Sequence, residues 1–450
     1  MLAACSSALF LTGLDATIVN AGLPSAGRAL GAGTSGLQWV IAAYTVPLAA
    51  LLLPAGRLAD RAGRRAVLLA ALAVFAAGSW ACSIAPSLGW LLAARAVQGA
   101  GASGLAPSAL GIITAVYPRP RERARALGTW DACLGLGMAL GPPAGGVLVQ
   151  SAGWRAVFWV NVPAALAAVA AVALLAPETR SPARRPAGLA GQLLVLTGLG
   201  SLAAGIIEGP GLGWASPWTG GAMVLAAASA TGLAFLSRHR PPPGPRLLRP
   251  GPVLAALAGG VLASAALAGW LFLLTLYLQD VRGLPALRAG MVIVPMPAAM
   301  TAGSAVAGRV VARRGPGAVF AVAGAGMTAA CLLMCGLAPA GALPAAAAAC
   351  GLFGAGLGLA SMAVTHGVMT GVGLAGAAGL ASGLNSAGRQ IGATIGVAVS
   401  GSVLAAASAR GTGPAAGFTH AAAGSWQVLA ACGAGVAALS LCRWSRPART

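Results

Sequence analysis

Charge is what this sequence lacks most. Of 450 residues only 8% are charged, against about 25% in a soluble domain. So few charges cannot cover a water-facing surface. One soluble core of this size is also excluded, because chains split into domains well before it.

Lysine is absent and acids number seven: Asp15, Asp60, Glu122, Asp131, Glu178, Glu208 and Asp280. Without lysine there is no phosphate loop of the form G-x-x-x-x-G-K-[ST], so ATP-driven pumping by this chain is not expected. Three histidines and scattered acids provide no nucleophile–base pair. No enzyme activity, metal or cofactor is therefore expected, and His366 has no acid or cysteine beside it in sequence. The eight cysteines fall in apolar stretches and form no CxxC pair. They read as small packing residues. The net charge of +21 would suggest nucleic acid in a soluble protein. Here aromatics are 5% and no basic stretch alternates with them, so nucleic-acid binding is not expected. No basic residue precedes the first apolar run, so a secretory signal peptide is not expected, and whether the true start lies upstream stays open.

What is present is apolar. Hydrophobic residues make up 58% of the chain, in repeated runs of about 20 residues, each long enough to cross a bilayer. Fourteen crossings are expected, at roughly 2–22, 37–56, 66–85, 88–110, 125–150, 156–176, 189–208, 219–237, 252–279, 288–310, 317–337, 342–362, 382–407 and 425–443. The arginines then fall in alternate connectors. One side receives Arg57, Arg61, Arg64 and Arg65, then Arg119, Arg121, Arg123 and Arg125, then Arg180, Arg184 and Arg185. Arg238, Arg240, Arg246 and Arg249 follow, then Arg309, Arg313 and Arg314, then Arg443, Arg446 and Arg449. The other side has only Arg28, Arg155, Arg282, Arg288 and Arg410. This is the positive-inside bias and implies cytoplasmic termini.

Pro- and Arg-rich linkers divide the chain into a six-helix bundle over 1–177, two inserted helices over 178–251, and a second six-helix bundle over 252–450. The halves echo each other. Gly56-Arg57-Leu58-Ala59-Asp60-Arg61-Ala62-Gly63 and Gly308-Arg309-Val310-Val311-Ala312-Arg313-Arg314-Gly315 share one register, each after the second span of its bundle. That points to duplication.

Ionisable residues inside spans are costly, roughly 2.5–3.5 kcal/mol at the helix centre on insertion scales. They usually face an internal cavity and have a partner. Asp15 lies in the first span on a face with Leu11, Thr12, Val19 and Gly22. Burial favours the protonated form of a carboxyl, and a neighbouring arginine favours the ionised form. A carboxyl held between the two can switch, as proton coupling requires. A structural ion pair that never titrates is the alternative. Arg95, with Gln98 and Gly99 on the same face of the fourth span, is the natural partner because arginine keeps its charge. Asp131 lies in the fifth span. Three roles stay open for it: a second proton site, a binding group for a cationic substrate, or a partner for Arg123 or Arg125. Arg389, one turn after Asn385, either lines a cavity or pairs with a helix end.

Several segments, in order, resemble the major facilitator superfamily and within it the fourteen-spanner drug:proton antiporters of the EmrB/QacA type. They are the Gly56–Arg65 segment, Leu14-Asp15-Ala16-Thr17-Ile18-Val19-Asn20, Gln38-Trp39-Val40 with Tyr44, and Arg95 with Gln98-Gly99-Ala100-Gly101. Gly137, Gly141-Pro142 and Gly145-Gly146 follow, then Trp154-Arg155 with Asn161-Val162-Pro163, Tyr277-Leu278-Gln279, and Asn385 with Arg389-Gln390-Ile391-Gly392.

The resemblance implies an all-α major facilitator fold in the cytoplasmic membrane. It also implies proton-coupled efflux of small lipophilic compounds by a monomer that alternates its access. Asp15 and Arg95, with Asp131 as a departure from the family pattern, would couple protons. Asp60, Arg61, Arg64 and Arg65, with Glu122, would form a cytoplasmic latch between the halves. Gly137, Gly141, Pro142, Gly145 and Gly146 would form the antiporter seam. Gln98, Asn385 and Arg389 would line the substrate cavity. A facilitator-type importer, or a flippase of lipid or peptide, is the alternative reading of the same fold.

Overall fold

The computed structural model describes residues 1–180, 189–239, 250–336, 342–371, 378–408 and 414–442. Both Pro/Arg-rich linkers therefore fall largely outside the described residues. So do Arg184, Arg185, Arg240, Arg246, Arg249, Arg410, Arg443, Arg446 and Arg449.

Among the described residues there is no strand. In chain order the helices are α1 (Leu2–Leu30), α2 (Thr34–Ala62), α3 (Arg64–Ser83), α4 (Leu88–Val116), α5 (Pro120–Ala152), α6 (Ala156–Trp159), α7 (Asn161–Leu175), α8 (Leu189–Leu212) and α9 (Pro217–His239). Then come α10 (Pro250–Leu276), a π turn (Tyr277–Val281), α11 (Ala286–Ile293), α12 (Pro295–Arg314), α13 (Pro316–Cys335), α14 (Leu343–Gly371), α15 (Ala378–Ser408) and α16 (Pro414–Ala438). Among the described residues, thirteen segments are long and apolar enough to cross a membrane. At the expected thirteenth crossing stands α15, which reaches Ser408.

Several boundaries differ from expectation, each for a local reason. α1 runs eight residues past the expected end and carries Pro24 within it. It closes at Gly31, whose φ of 63° gives a left-handed cap with its N–H on the Gly27 carbonyl. α2 continues to Ala62, so Gly56–Arg61 is helix and not loop. The sixth crossing is broken into α6 and α7, and the tenth is broken before Pro295, the first residue of α12. The two glycines that end the echoed octapeptides, Gly63 and Gly315, both have positive φ, 117° and 79°. Each stands at the junction between two helices, so the echo extends to the backbone as well as the residues.

Packing divides the chain into two compact units, Met1–Leu196 with Leu284–Met291, and Thr197–Gly283 with Val292–Thr450. In the first, α1 packs on α5, α2 on α4, α3 on α4, and α3 on α7. In the second, α10 packs on α15, α12 on α14, α13 on α14, and α13 on α16. Lipid tails are as apolar as leucine, so helices gain by close van der Waals contact, which small residues permit. Gly137, Gly141 and Gly145 of α5 lie against Phe10, Thr17, Ile18 and Ala21 of α1. Gly392 and Gly396 of α15 lie against Val261 and Ala265 of α10 in the same way.

Candidate functional site

The first unit holds a fully buried polar cluster, and glycines bring its helices together. A Cβ at Gly78 of α3 would meet the backbone of Gln98 at 2.6 Å, and one at Gly101 would meet Phe75 N at 2.5 Å. Gly99 lies against the Tyr44 carbonyl of α2. The motif Gln98-Gly99-Ala100-Gly101 thus sets α4 close to both α2 and α3, with the side chains of Arg95 and Gln98 in the interior.

At the centre is the Asp15 carboxylate, 0% exposed. Its Oδ2 accepts from Arg95 Nη1 at 3.0 Å. Its Oδ1 accepts from Gln98 Nε2 at 2.9 Å and from Asn161 Nδ2 at 2.8 Å. Arg95 also donates from Nη1 to Gln98 Oε1 at 2.6 Å and from Nε to the Val40 carbonyl at 3.1 Å. Its guanidinium lies over the Tyr44 ring, 4.2 Å from the centroid. Gln98 Nε2 further donates to Ser79 Oγ at 2.8 Å, and Ser79 donates to the Phe75 carbonyl. One ion pair, its ligands and an aromatic cap therefore form a network contributed by α1, α2, α3, α4 and α7.

Sequence reasoning brought Asp15, Arg95 and Gln98 forward, though Gln98 was expected in the substrate cavity and instead lies inside this network. It missed Asn161, Ser79 and Tyr44 as members. The Asn161-Val162-Pro163 string and the pairing of Tyr44 with Gln38-Trp39-Val40 were the available signals. Asp131 is not in the cluster. It is exposed on α5, and among the described residues it forms no ion pair with Arg123 or Arg125. Asn385 and Arg389 are half-buried on α15 in the second unit, with Asn385 Oδ1 facing Gly260 of α10.

The Asp60 segment is built differently from the expected latch. Asp60 Oδ1 accepts from Arg64 Nε at 2.9 Å and Nη2 at 2.7 Å. Arg64 Nη1 reaches the Gly111 carbonyl of α4 at 2.9 Å, and Arg65 reaches the Ala173 carbonyl of α7. Arg61 is exposed. Glu122 does not join these residues; it pairs with Arg119 in its own first turn, Oε1 to Nη1 at 2.9 Å. The acid that completes the segment is Glu178. It accepts from the N–H groups of Arg65 and Ala66 at 3.1 Å each, and the Thr179 carbonyl accepts from Arg64 N at 2.9 Å. The first turn of α3 is thus capped by residues that follow α7, and no local sequence pattern signals a contact so distant in the chain. Of the seam glycines, Gly137, Gly141 and Gly145 serve the α1–α5 contact inside the first unit. Gly146 faces Ala286 and Leu287, and Gly290 of α11 faces Pro142. Among the described residues no group of three His, Cys, Asp or Glu could hold a metal.

Comparison with known proteins agrees with this architecture. The chain is 38% identical over 338 residues to the multidrug resistance protein Stp of Mycobacterium tuberculosis, covering 75% of this chain and 62% of that protein. It is 35% identical over 327 residues to the methylenomycin A resistance protein of Bacillus subtilis, covering 71% of this chain and 68% of the other. It is 34% identical over 334 residues to the tetracenomycin C resistance and export protein of Streptomyces glaucescens, with 74% and 62% covered. The chain therefore spans about 62% of the length of some of these relatives. The fold matches an inward-facing, unoccupied bacterial homologue of the human lysosomal transporter Spinster. The TM-score is 0.68 at 17% identity, over 98% of this chain and 96% of that one. The sequence profile described as Major Facilitator Superfamily matches residues 5–397. With that match and these helices, the chain is a multi-pass membrane protein and belongs to the Major Facilitator Superfamily, a family of transporters.

Proposed function

We propose that this chain is a proton-coupled exporter of small lipophilic compounds, of the fourteen-spanner drug:proton antiporter type. It would act as a monomer in the cytoplasmic membrane with both termini inside. Two six-helix bundles would carry the alternating access, with α8 and α9 as the inserted pair. The observation that carries the reading is the Asp15–Arg95 ion pair, sealed from solvent among Gln98, Asn161 and Tyr44. An ionisable pair inside a membrane span is expensive to maintain unless it works. The printed names of the relatives, which refer to multidrug or antibiotic resistance and export, support the direction and the substrate class.

In this mechanism Asp15 takes a proton from the outside and releases it inside, and the two bundles rock around the substrate. Arg95 remains charged throughout and falls back on Gln98 Oε1 and the Val40 carbonyl when the carboxyl is neutral. The test is efflux of ethidium, a lipophilic dye, from vesicles with and without an inward proton gradient. Efflux should rise with the gradient in the parent and lose that dependence in Asp15→Asn. A flux indifferent to the gradient, with Asp15→Asn fully active, overturns the mechanism.

A further inference from the structure

Among the three side chains that hold Asp15, one has an unused half. Gln98 is fully engaged: its Oε1 accepts from Arg95, and its Nε2 donates to both Asp15 and Ser79. Turning its amide would break the contact with Arg95. Arg95 has only donors. Asn161 differs. Its Nδ2 donates to Asp15 Oδ1 at 2.8 Å, while its Oδ1 is buried with no partner. The residue is 0% exposed. Buried acceptors are nearly always paired, so an orphaned one asks for a state that uses it.

We propose that Asn161 follows the protonation of Asp15 by turning its amide. When the carboxylate is ionised, Asn161 donates to it, as seen here. When a proton arrives from solvent, an O–H bond forms on Asp15 and the carboxyl becomes a donor. Rotation of the Asn161 amide by half a turn then presents its free oxygen as the acceptor. No electron or further group is transferred, and the proton returns to solvent when the carboxyl ionises again. The charged and titratable groups that face this exchange are Arg95 from α4, Tyr44 from α2 and Cys82 from α3, the last 4.0 Å from Gln98 Oε1. α6 and α7 contain no charged residue, and Asp131 of α5 is exposed outside the cluster. Asn161 is thus the neutral member able to serve both protonation states of Asp15, a positioning residue for the proton step. This inference rests on the reading of Asp15 as the proton carrier.

The test is infrared difference spectroscopy of the full chain in lipid as pH is changed. The carboxylic-acid stretch of Asp15 is assigned by its disappearance in Asp15→Asn. In Asn161→Leu, which fills the volume but offers no acceptor, that band should move to higher wavenumber, because a carboxyl that loses its acceptor has a stiffer carbonyl. Asn161→Ala should do the same, and it decides the matter if the leucine variant does not fold. A band unmoved in the folded variants overturns the role of Asn161 alone. A parent with no Asp15 acid band at any pH overturns the proton-carrier reading and this inference with it. A band that moves while ethidium efflux ignores the gradient leaves Asn161 in place and overturns only the exporter mechanism.

Discussion

The two units share one packing plan and fill its centre with opposite chemistry. In the first, α1 meets α4 and α7 around a buried ion pair with amide ligands. In the second, α10 meets α14 and α16 around three aromatic rings. Trp270, fully buried, stacks on Phe353 with centroids 4.3 Å apart and interplanar angle 16°, and meets Trp426 edge-on at 5.1 Å. The glycine seams are alike on both sides, α5 on α1 and α15 on α10. The two units thus share their helix packing and differ in their core. The seams answer to helix contact in lipid, which is the same problem twice. The centres do not, and a charged centre costs more than an aromatic one, which is why function is assigned to the first unit.

If that division is right, mutation should separate the two centres. The largest effect belongs to Arg95→Leu. It leaves the Asp15 carboxylate buried without its cation, a loss of about 3–5 kcal/mol for a broken buried pair. Gradient-dependent ethidium efflux should vanish and the thermal midpoint should fall. Trp270→Ala should also destabilise by about 3–5 kcal/mol through lost packing, yet whatever efflux remains should still respond to the gradient. Gradient-independent efflux in Trp270→Ala would break the contrast. The seams should behave alike. Gly137→Ala and Gly392→Ala each force a methyl into a facing helix and should cost about 1–3 kcal/mol as overpacking. Thermal melts of the two variants in one lipid mixture check this, and a large difference between them would show that one seam has a further duty.

How much of this was legible in the sequence follows from how rare each residue type is. Asp15 and Arg95 stood out because a charge in an apolar span must find a partner. Asn161, Ser79 and Tyr44 did not, because a neutral polar side chain in a span carries no charge that demands a partner. The octapeptide echo located Gly63 and Gly315, but residue type alone did not show that both ended in positive φ. Glu122 was expected to join the latch. The helix start at Pro120 instead gave it Arg119 three residues away. Glu178 was assigned no role from the sequence, because its contact with α3 spans more than a hundred residues of chain.

That last contact gives the smallest predicted effect and the finest test of the duplication. Gly63→Ala and Gly315→Ala both place a Cβ at positive φ, which costs about 1–3 kcal/mol. At Gly63 the new methyl would also lie 2.7 Å from Glu178 Oε1, whereas at Gly315 nothing lies within 4 Å. The first variant should therefore melt at the lower temperature. Glu178→Gln keeps an acceptor at the N-terminus of α3 but removes the charge that complements its dipole, a loss of about 0.3–1 kcal/mol at low salt. It should also shrink the gap between the two glycine variants, because an uncharged amide gives way to the methyl with less lost. An unchanged gap would mean that backbone strain alone separates Gly63 from Gly315. The cap contributed by the segment after α7 would then be incidental to the loop and not part of what the first unit added to the shared plan.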